Sequence, residues 1–331
     1  MSNNCPIGLK DERKGDLTMV NNNINNVLVV GAGVMGHSIA QVFAIAGYSV
    51  GLVDVDQKVL DRSMGLIESG LSTLVDFGNL SSGEIPSILS RITPSKDLAS
   101  MAGVADFVIE AVPEVPNIKK EIFSQLDRLC ADETVIASNT SGLDIFSLVD
   151  VKRPERLVIT HFFAPAHIIP LVEVVPGART SPDTVSFTLE ILKKVDKSPI
   201  LLSEFVPSFI VNRIQNAIGP VVIEMLENGW ASPEDIDRAV KLSLGIRLPI
   251  VGVVQTADFN GLDLVSQIFK GLGKEISFIE EKVKQGHFGV KTSKGIYDYG
   301  GRTESEILRK RDMLFLKMMD YLKEINAFEP V

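Results

Sequence analysis

A histidine and a glutamate twelve residues apart are the side chains in this sequence best suited to moving a proton. His161 comes near the end of an apolar run at residues 157–162, and Glu173 lies inside a second apolar run at residues 171–175. A carboxylate buried on a strand needs a polar partner, and an imidazole is a natural one. Glu173 would fix the tautomer of His161 and stabilise the imidazolium that forms when the ring takes a proton. The alternative is a structural core histidine and a glutamate at the surface of an edge strand.

A glycine-rich loop is the second chemical signal. It follows an apolar run at residues 27–30, opens a helix and reads Gly31-Ala32-Gly33-Val34-Met35-Gly36. This is the context that the dinucleotide-binding fingerprint requires. Its first glycine permits a tight turn, its second lets the backbone approach a pyrophosphate, and its third lets helix and strand pack closely. The alternative is a glycine turn that only packs.

An aspartate at the end of the next predicted strand supports the dinucleotide interpretation. Asp54 stands eighteen residues after Gly36, where a carboxylate can accept hydrogen bonds from ribose hydroxyls. The same carboxylate would repel a 2′-phosphate, so the sequence predicts NAD rather than NADP. Asp56 is better suited to cap the following helix.

The other histidines carry weaker signals. His37 begins the first predicted helix and His287 lies in a Gly-rich segment, and both are interpreted as structural. His167 lies in the loop at residues 164–170, and we expect it to line a substrate pocket.

These residues must be positioned by strands that alternate with helices. Short apolar runs alternate with segments whose apolar residues recur at three-and-four spacing, which predicts a parallel sheet covered by helices. Ligand crevices form at the carboxyl ends of such strands. Strands are predicted at residues 27–30, 49–54, 107–111, 134–138, 157–162, 171–175 and 200–203, and helices between them at 36–46, 56–76 and 117–129.

The strand-like runs stop after Pro207. Further helices are predicted at residues 208–228, 233–243, 258–271 and 302–325, with a Gly-rich segment at 286–301. The sequence therefore predicts a flexible N-terminal extension (1–24), an α/β domain of the Rossmann type with a doubly wound sheet (25–205), and an all-helical C-terminal domain (206–331).

Composition excludes several classes of protein. The 331 residues are 45% hydrophobic and 23% charged, which is ordinary for a folded protein of about two domains. The net charge of −9 would repel a phosphate backbone, so a nucleic-acid partner is not expected. Cys5 and Cys130 are the two cysteines, too few for a disulfide framework or a metal cluster, and no metal site is predicted.

The sequence shows no targeting or membrane signal. No eighteen apolar residues run together, and the first 26 residues contain no apolar stretch of signal-peptide length. We therefore expect a cytoplasmic protein with a loose leader and no membrane partner.

Seven motifs stand in the order found in the 3-hydroxyacyl-CoA dehydrogenases, and from Asn25 onward the chain resembles that family. They are Gly31-Ala32-Gly33-Val34-Met35-Gly36, Val108-Ile109-Glu110-Ala111-Val112-Pro113-Glu114, Ser138-Asn139-Thr140-Ser141, His161-Phe162-Phe163, Leu171-Val172-Glu173-Val174, Pro207-Ser208-Phe209-Ile210-Val211-Asn212-Arg213 and Lys291-Thr292-Ser293-Lys294-Gly295-Ile296-Tyr297. Each motif alone is weak, but seven in register are specific.

The resemblance implies an NAD-dependent oxidation of a 3-hydroxy group to a ketone, with a helical second domain that closes the cleft and usually forms a homodimer. His161 matches the family's catalytic base and Glu173 its partner. Ser141 and Asn212 match the positions that hold the reacting oxygen of the substrate. Four further positions match contacts of the dinucleotide or neighbours of its nicotinamide: Glu114, Lys119, Asn139 and Lys291.

Some residues depart from the family pattern on the substrate side. Ala164 replaces an asparagine, the segments at residues 166–170 and 248–253 differ, and no lysine or arginine occurs between Arg62 and Arg91, where members that bind CoA usually offer cations. The small-molecule substrate is nevertheless predicted as a 3-hydroxyacyl-CoA such as 3-hydroxybutyryl-CoA, because the segment at residues 291–299 and the pair Phe162-Phe163 resemble the members that act on acyl-CoA. A free hydroxy acid of the gulonate, carnitine or pyridine carboxylate kind is the alternative. A non-catalytic NAD-binding protein is the third hypothesis.

Overall fold

The computed structural model describes residues 24–329. The predicted N-terminal extension therefore lies outside the described residues, apart from residue 24. The chain divides into two compact units, the first ending at Asn216 and the second beginning at Ala217. The domain boundary predicted between residues 205 and 206 stays a prediction.

The first unit is built on an eight-stranded sheet in the order β3-β2-β1-β4-β5-β6-β7-β8. Its strands are β1 (Asn26–Val30), β2 (Ser49–Val53), β3 (Ile92–Ser95), β4 (Phe107–Glu110), β5 (Val135–Ser138), β6 (Leu157–Phe162), β7 (Leu171–Pro176) and β8 (Ser198–Leu201). Neighbouring strands from β3 to β6 are parallel. Their order reverses beside β1, which confirms the predicted doubly wound sheet of the Rossmann type.

Helices cover both faces of this sheet. They are α1 (Gly36–Ile45), α2 (Gln57–Asp76), α3 (Ile85–Leu89), α4 (Leu98–Ala102), α5 (Pro116–Leu129), α6 (Ile145–Leu148) and α7 (Pro182–Lys194). Residues of α1, α2 and α7 pack on one face around Val29, Leu52 and Phe107. Residues of α4, α5 and α6 pack on the other face. The side chain of Asp56 accepts a hydrogen bond from Lys58 N at the start of α2, as predicted for a helix cap.

The sheet is mostly parallel, as predicted, but β7 runs antiparallel to β6. Only residues 163–170 join the two strands. A parallel connection needs a crossover of a dozen residues or more, whereas an antiparallel pair can be joined by a short loop. The reversal brings the two predicted proton-transfer residues face to face, because His161 is the direct register partner of Glu173.

The two edge strands were poorly predicted. β3 was missed altogether, and β8 begins at Ser198 rather than at residue 200. Each contains a proline, Pro94 in β3 and Pro199 in β8. Proline is tolerated at a sheet edge because no neighbouring strand needs its missing N–H, but the same residue weakens the strand signal in the sequence.

The second unit is helical, as predicted. α8 (Val211–Glu227) contains the division between the units, and after it come α9 (Pro233–Leu242), α10 (Leu244–Asn260), α11 (Leu262–Gly271), α12 (Ser277–Lys284) and α13 (Glu304–Glu324). α12 was not predicted, and most of α10 was missed. α10 bends at Gly252, whose φ of 66° lies outside the helical region. Such a bend interrupts the apolar periodicity that predicts a helix.

One anchor in the second unit is Asp258, which is buried and accepts hydrogen bonds from Ile296 N, Tyr297 N and the Tyr299 hydroxyl. It fixes the Gly-rich segment against α10. Among residues 24–329 no single helix has the length and hydropathy to cross a membrane, and the bent pair α9 and α10 meets those two criteria only when both helices are taken together.

Candidate active site

The glycine loop after β1 leaves no room for a side chain at two of its positions. Gly31 has a φ of 98°, and a Cβ there would lie 2.6 Å from Ala111 O. A Cβ at Gly36 would lie 1.7 Å from Gly31 O, because α1 begins directly against the turn. At Gly33 a Cβ would meet no atom within 4 Å. The loop therefore presents bare backbone at Gly33, with the first turn of α1 behind it, which fits the pyrophosphate of a dinucleotide.

Alanine substitutions at Gly33 and Gly36 should separate cofactor binding from folding. Gly33→Ala adds a methyl group to open space, so we expect an unchanged Tm but an affinity for NAD at least about tenfold weaker, since the methyl group occupies the path of the pyrophosphate. Gly36→Ala forces a methyl group into the loop and should destabilise the protein by about 2 kcal/mol or more. Thermal unfolding and calorimetric titration with NAD measure both effects. Full NAD affinity in Gly33→Ala would contradict the assignment of the loop.

Asp54 stands beside this loop at the end of β2. Its Oδ2 accepts a hydrogen bond from Ala32 N at 2.9 Å, and its Oδ1 accepts one from Asp56 N at 3.1 Å. Each carboxylate oxygen has a second lone pair that can accept a ribose hydroxyl. Asp54 thus braces the glycine loop, a contact that was not predicted, and it lies at the position proposed for the ribose. Val34, which is exposed just before the helix, and Met35, at the N-cap position of α1, complete the predicted loop.

His161 and Glu173 form a buried pair. His161 Nδ1 lies 2.8 Å from Glu173 Oε2, and both side chains are buried. A carboxylate can only accept, so Nδ1 carries a hydrogen, and the neutral form of the ring has its lone pair on Nε2. The rings of Phe163 and Phe209 pack against the imidazole, with centroids 4.5 and 5.3 Å away. The arrangement can act as a general base oriented by a carboxylate.

The second oxygen of Glu173 is also satisfied. Oε1 accepts hydrogen bonds from Ile210 N at 2.9 Å and Val211 N at 3.0 Å, at the start of α8. Burial alone would raise the pKa of Glu173, but the hydrogen bonds from His161 and the two amides outweigh it, so the pKa lies below its ordinary value. Glu173 therefore remains an anion beside the imidazole at neutral pH.

Acid should remove the stability that Glu173 contributes. Because its pKa is lowered on folding, the contribution is fully present above the ordinary carboxyl pKa and is lost as the pH falls through the lower folded value. We expect the difference in unfolding free energy between the wild type and Glu173→Gln to shrink below about pH 4.5, the ordinary value. Denaturant unfolding between neutral and acidic pH checks this. A difference that does not depend on pH would show that the Glu173 charge contributes no stability.

The turn after β5 carries two of the predicted site residues. Asn139 is buried, and its Oδ1 accepts a hydrogen bond from Phe162 N at 2.9 Å, which ties the turn to the end of β6. Ser141 is exposed, and its carbonyl accepts a hydrogen bond from Asn212 Nδ2 at 3.4 Å. The structure therefore brings Ser141 and Asn212 together beside the strand end that carries His161.

Lys119 and Glu114 are brought together, but in a way that was not predicted. Lys119 is 1% exposed, and its ammonium lies 2.7 Å from Glu110 Oε1 and 3.2 Å from Glu114 Oε2. Burial would raise the pKa of Glu114, but the hydrogen bond from Thr140 and the charge of Lys119 lower it below the ordinary value. Glu110 was missed as a site residue. Its signal was a charged residue inside an apolar strand, which demands a buried partner.

His167, which was predicted to line a substrate pocket, contacts α1. His167 Nδ1 lies 3.0 Å from the Ser38 hydroxyl of α1, and His167 lines a cavity of about 510 Å³ with Phe77, Ile168 and Lys197. Burial lowers the pKa of His167, and the nearby charges of His37 and Lys197 lower it further.

Lys291 belongs to the second unit, where its ammonium forms an ion pair with Asp263. The predicted contact of Lys291 with the dinucleotide stays a prediction. No cluster of three or more His, Cys, Asp or Glu residues within the described part of the chain could hold a metal ion.

Comparison with known proteins places this arrangement among dehydrogenases. The family model of the 3-hydroxyacyl-CoA dehydrogenase NAD binding domain matches residues 26–205, and that of the 3-hydroxyacyl-CoA dehydrogenase C-terminal domain matches residues 209–299. The chain is 36% identical over 283 residues to the 3-hydroxybutyryl-CoA dehydrogenase of Clostridioides difficile, covering 82% of this chain and 98% of the relative.

A relative named for a different substrate and a solved crystal structure are also similar to this chain. The 5-formyl-3-hydroxy-2-methylpyridine 4-carboxylate 5-dehydrogenase of Mesorhizobium japonicum is 30% identical over 285 residues, covering 83% of this chain and 91% of the relative. The crystal structure of a 3-hydroxyacyl-CoA dehydrogenase from Archaeoglobus fulgidus superposes with a TM-score of 0.75 at 30% identity, covering 90% of this chain and 99% of that one.

Proposed function

This chain belongs to the 3-hydroxyacyl-CoA dehydrogenase family and is an NAD-dependent oxidoreductase acting on CH–OH groups, and we propose that it oxidises a 3-hydroxyacyl-CoA, such as 3-hydroxybutyryl-CoA, to the 3-ketoacyl-CoA. The observation that carries the proposal is the buried pair of His161 and Glu173 at the end of β6, in the unit that matches the NAD binding domain. Membership in a family of dehydrogenases supports an enzyme over a non-catalytic NAD-binding protein.

Proton transfer is the part of the reaction that the protein performs itself. His161 Nε2 takes the proton of the substrate hydroxyl in the oxidation direction and returns it to the forming alkoxide in reduction. Glu173 stabilises the imidazolium that exists between the two events, because its carboxylate already faces Nδ1. Bound NAD supplies the hydride acceptor.

The oxygen of the substrate needs hydrogen-bond donors while its charge changes. We place the Ser141 hydroxyl and the Asn212 amide in this role, since the two residues are in contact and both lie in segments tied to the pair: the Ser141 turn to β6 through Asn139, and the start of α8 to Glu173. Donors aimed at a developing alkoxide are among the larger contributions that an active site makes. Asn139, Glu114 and Asp54 would hold the dinucleotide.

A free hydroxy acid is the second candidate substrate. Its support is the absence of lysine and arginine between Arg62 and Arg91, most of which forms α2 and α3. CoA carries several phosphate charges that normally need cationic partners. The similarity to the pyridine carboxylate dehydrogenase fits the same candidate.

A substrate panel decides between the two candidates. NADH formation is measured with 3-hydroxybutyryl-CoA, with free 3-hydroxybutyrate, and with gulonate, carnitine and a hydroxymethyl pyridine carboxylate, each against a no-substrate control. Turnover of the CoA ester at more than a hundredfold higher kcat/KM than the free acids supports the first proposal. Turnover of a free acid alone overturns it in favour of the second.

We also propose a symmetric homodimer formed through the helical domain. None of the residues of α8 is buried, although the helix carries Ile218, Val221 and Ile223, each about half exposed. An apolar surface of this kind is typical of a subunit interface. Sedimentation should give twice the chain mass at micromolar concentration, and Val221→Glu should shift the protein toward the monomer. A wild type that sediments as a monomer contradicts the proposal.

A further inference from the structure

Five residues at the carboxyl ends of β4 and β5 form a closed ring of hydrogen bonds and ion pairs. Glu110 Oε1 accepts from Lys119 Nζ at 2.7 Å, and Lys119 Nζ also contacts Glu114 Oε2 at 3.2 Å. Glu114 Oε1 accepts from the Thr140 hydroxyl. Ser138 closes the ring, because its hydroxyl donates to Glu110 Oε2 at 2.6 Å and accepts from Thr140 N at 3.3 Å.

Glu110 is the buried centre of this ring, referred to below as the Glu110 ring. It is 0% exposed, and its carboxylate accepts three hydrogen bonds, the third from Val112 N at 2.9 Å. Burying a lysine and a glutamate together carries a desolvation cost that the attraction between them often only balances. Stability alone therefore gives little reason for the pair, whereas a fully satisfied network fixes geometry.

The Glu110 ring leads directly to the turn that carries the proposed substrate contact. Besides Thr140, Glu114 Oε1 accepts a hydrogen bond from Ser141 N at 2.9 Å. On the other side, the Ser138 hydroxyl accepts a hydrogen bond from Thr140 N at 3.3 Å. Residues 140 and 141 are thus held from both branches of the ring.

We propose that Glu110 is a positioning residue for catalysis, which acts through Lys119 and Glu114 on one side and Ser138 on the other to hold the Ser141 turn in place. The inference rests on the proposed dehydrogenase function. It also gives Lys119 a different role from the predicted direct contact with the dinucleotide: its ammonium is enclosed between two carboxylates and orients Glu114.

A double-mutant cycle tests the coupling between Glu110 and Ser141. Glu110→Gln removes the charge at constant shape, and Ser141→Ala removes only the hydroxyl. A displaced Ser141 should lower kcat by about ten- to a hundredfold. In the Ser141→Ala background the same Glu110→Gln change should have little further effect on kcat, because the group that it positions is gone. Effects that multiply independently overturn the proposal.

Two comparisons keep the test decisive if Glu110→Gln folds poorly. Ser138→Ala breaks one link of the ring and should also lower kcat in a way that disappears in the Ser141→Ala background. Glu121→Gln makes the same charge change at an exposed position of α5 and should leave kcat unchanged.

Hydrogen exchange tests the positioning role of Glu110 without relying on turnover, so it distinguishes a failure of this proposal from a failure of the proposed dehydrogenase function. The Ser141 amide is bonded to Glu114, so Glu110→Gln, or Ser138→Ala in its place, should speed its exchange at least about tenfold while the β5 amides stay protected. An unchanged Ser141 amide overturns the positioning role whatever the turnover. A wild type without turnover on the substrate panel refutes the dehydrogenase proposal instead.

Discussion

Replacing His161 with glutamine should lower kcat by about a hundredfold or more while leaving the affinity for NAD unchanged. Glutamine approximates the size of the ring and can still contact Glu173 Oε2, but it cannot take a proton from the substrate hydroxyl. The glycine loop and Asp54 follow β1 and β2, so they do not depend on the imidazole of His161 in β6. Steady-state kinetics of NADH formation and calorimetric titration with NAD measure the two quantities on the same preparation.

His287→Gln is the matched control for this variant, since it makes the same chemical change in the Gly-rich segment of the second unit. It should retain wild-type kcat. Unchanged turnover in His161→Gln would remove His161 from the role of base, and a loss of NAD affinity of the same size as the loss of kcat would indicate a general disruption of the site.

Glu173→Gln should be at least as damaging, with kcat lower by about a thousandfold or more. The glutamine oxygen can still accept from the amides of Ile210 and Val211, which leaves its NH₂ group facing His161 Nδ1. A donor at that place forces the hydrogen of the imidazole onto Nε2. The ring then presents an N–H to the substrate instead of a lone pair, and the wrong tautomer cannot act as the base.

Nitrogen chemical shifts of the imidazole provide a direct readout of this tautomer. The wild type should show Nδ1 protonated and Nε2 free, and Glu173→Gln the reverse. Glu190→Gln, at an exposed position of α7, is the control and should change neither the tautomer nor kcat. Wild-type kcat in Glu173→Gln would contradict the orienting role of the carboxylate.

Much of the site was predictable because its residues interrupt the regular apolar patterns of strands and helices. Glu173 is a charge in an apolar strand, and the glycine loop stands where a strand becomes a helix. These features predicted which side chains would lie at the carboxyl edge of the sheet. Their catalytic and cofactor roles remain predictions, because a hydrogen-bond partner does not by itself establish a reaction.

Other parts could not be predicted because they depend on tertiary contacts. The Glu110 ring joins two strands and the first turns of a helix, and its five members share no spacing that a sequence pattern reveals. The bend of α10 at Gly252 likewise interrupts the periodicity from which a helix is predicted. The edge strands were hidden by prolines that a central strand would not tolerate.

The antiparallel pairing of β6 and β7 has a consequence for how the enzyme can vary. His161 and Glu173 are held opposite each other by the ladder of a single hairpin, so the reactive couple is specified within one short stretch of chain. Deleting one residue ahead of Glu173 in β7 would turn its carboxylate to the other side of the sheet. Substitutions that leave this hairpin and the amides of Ile210 and Val211 in place therefore keep the couple paired.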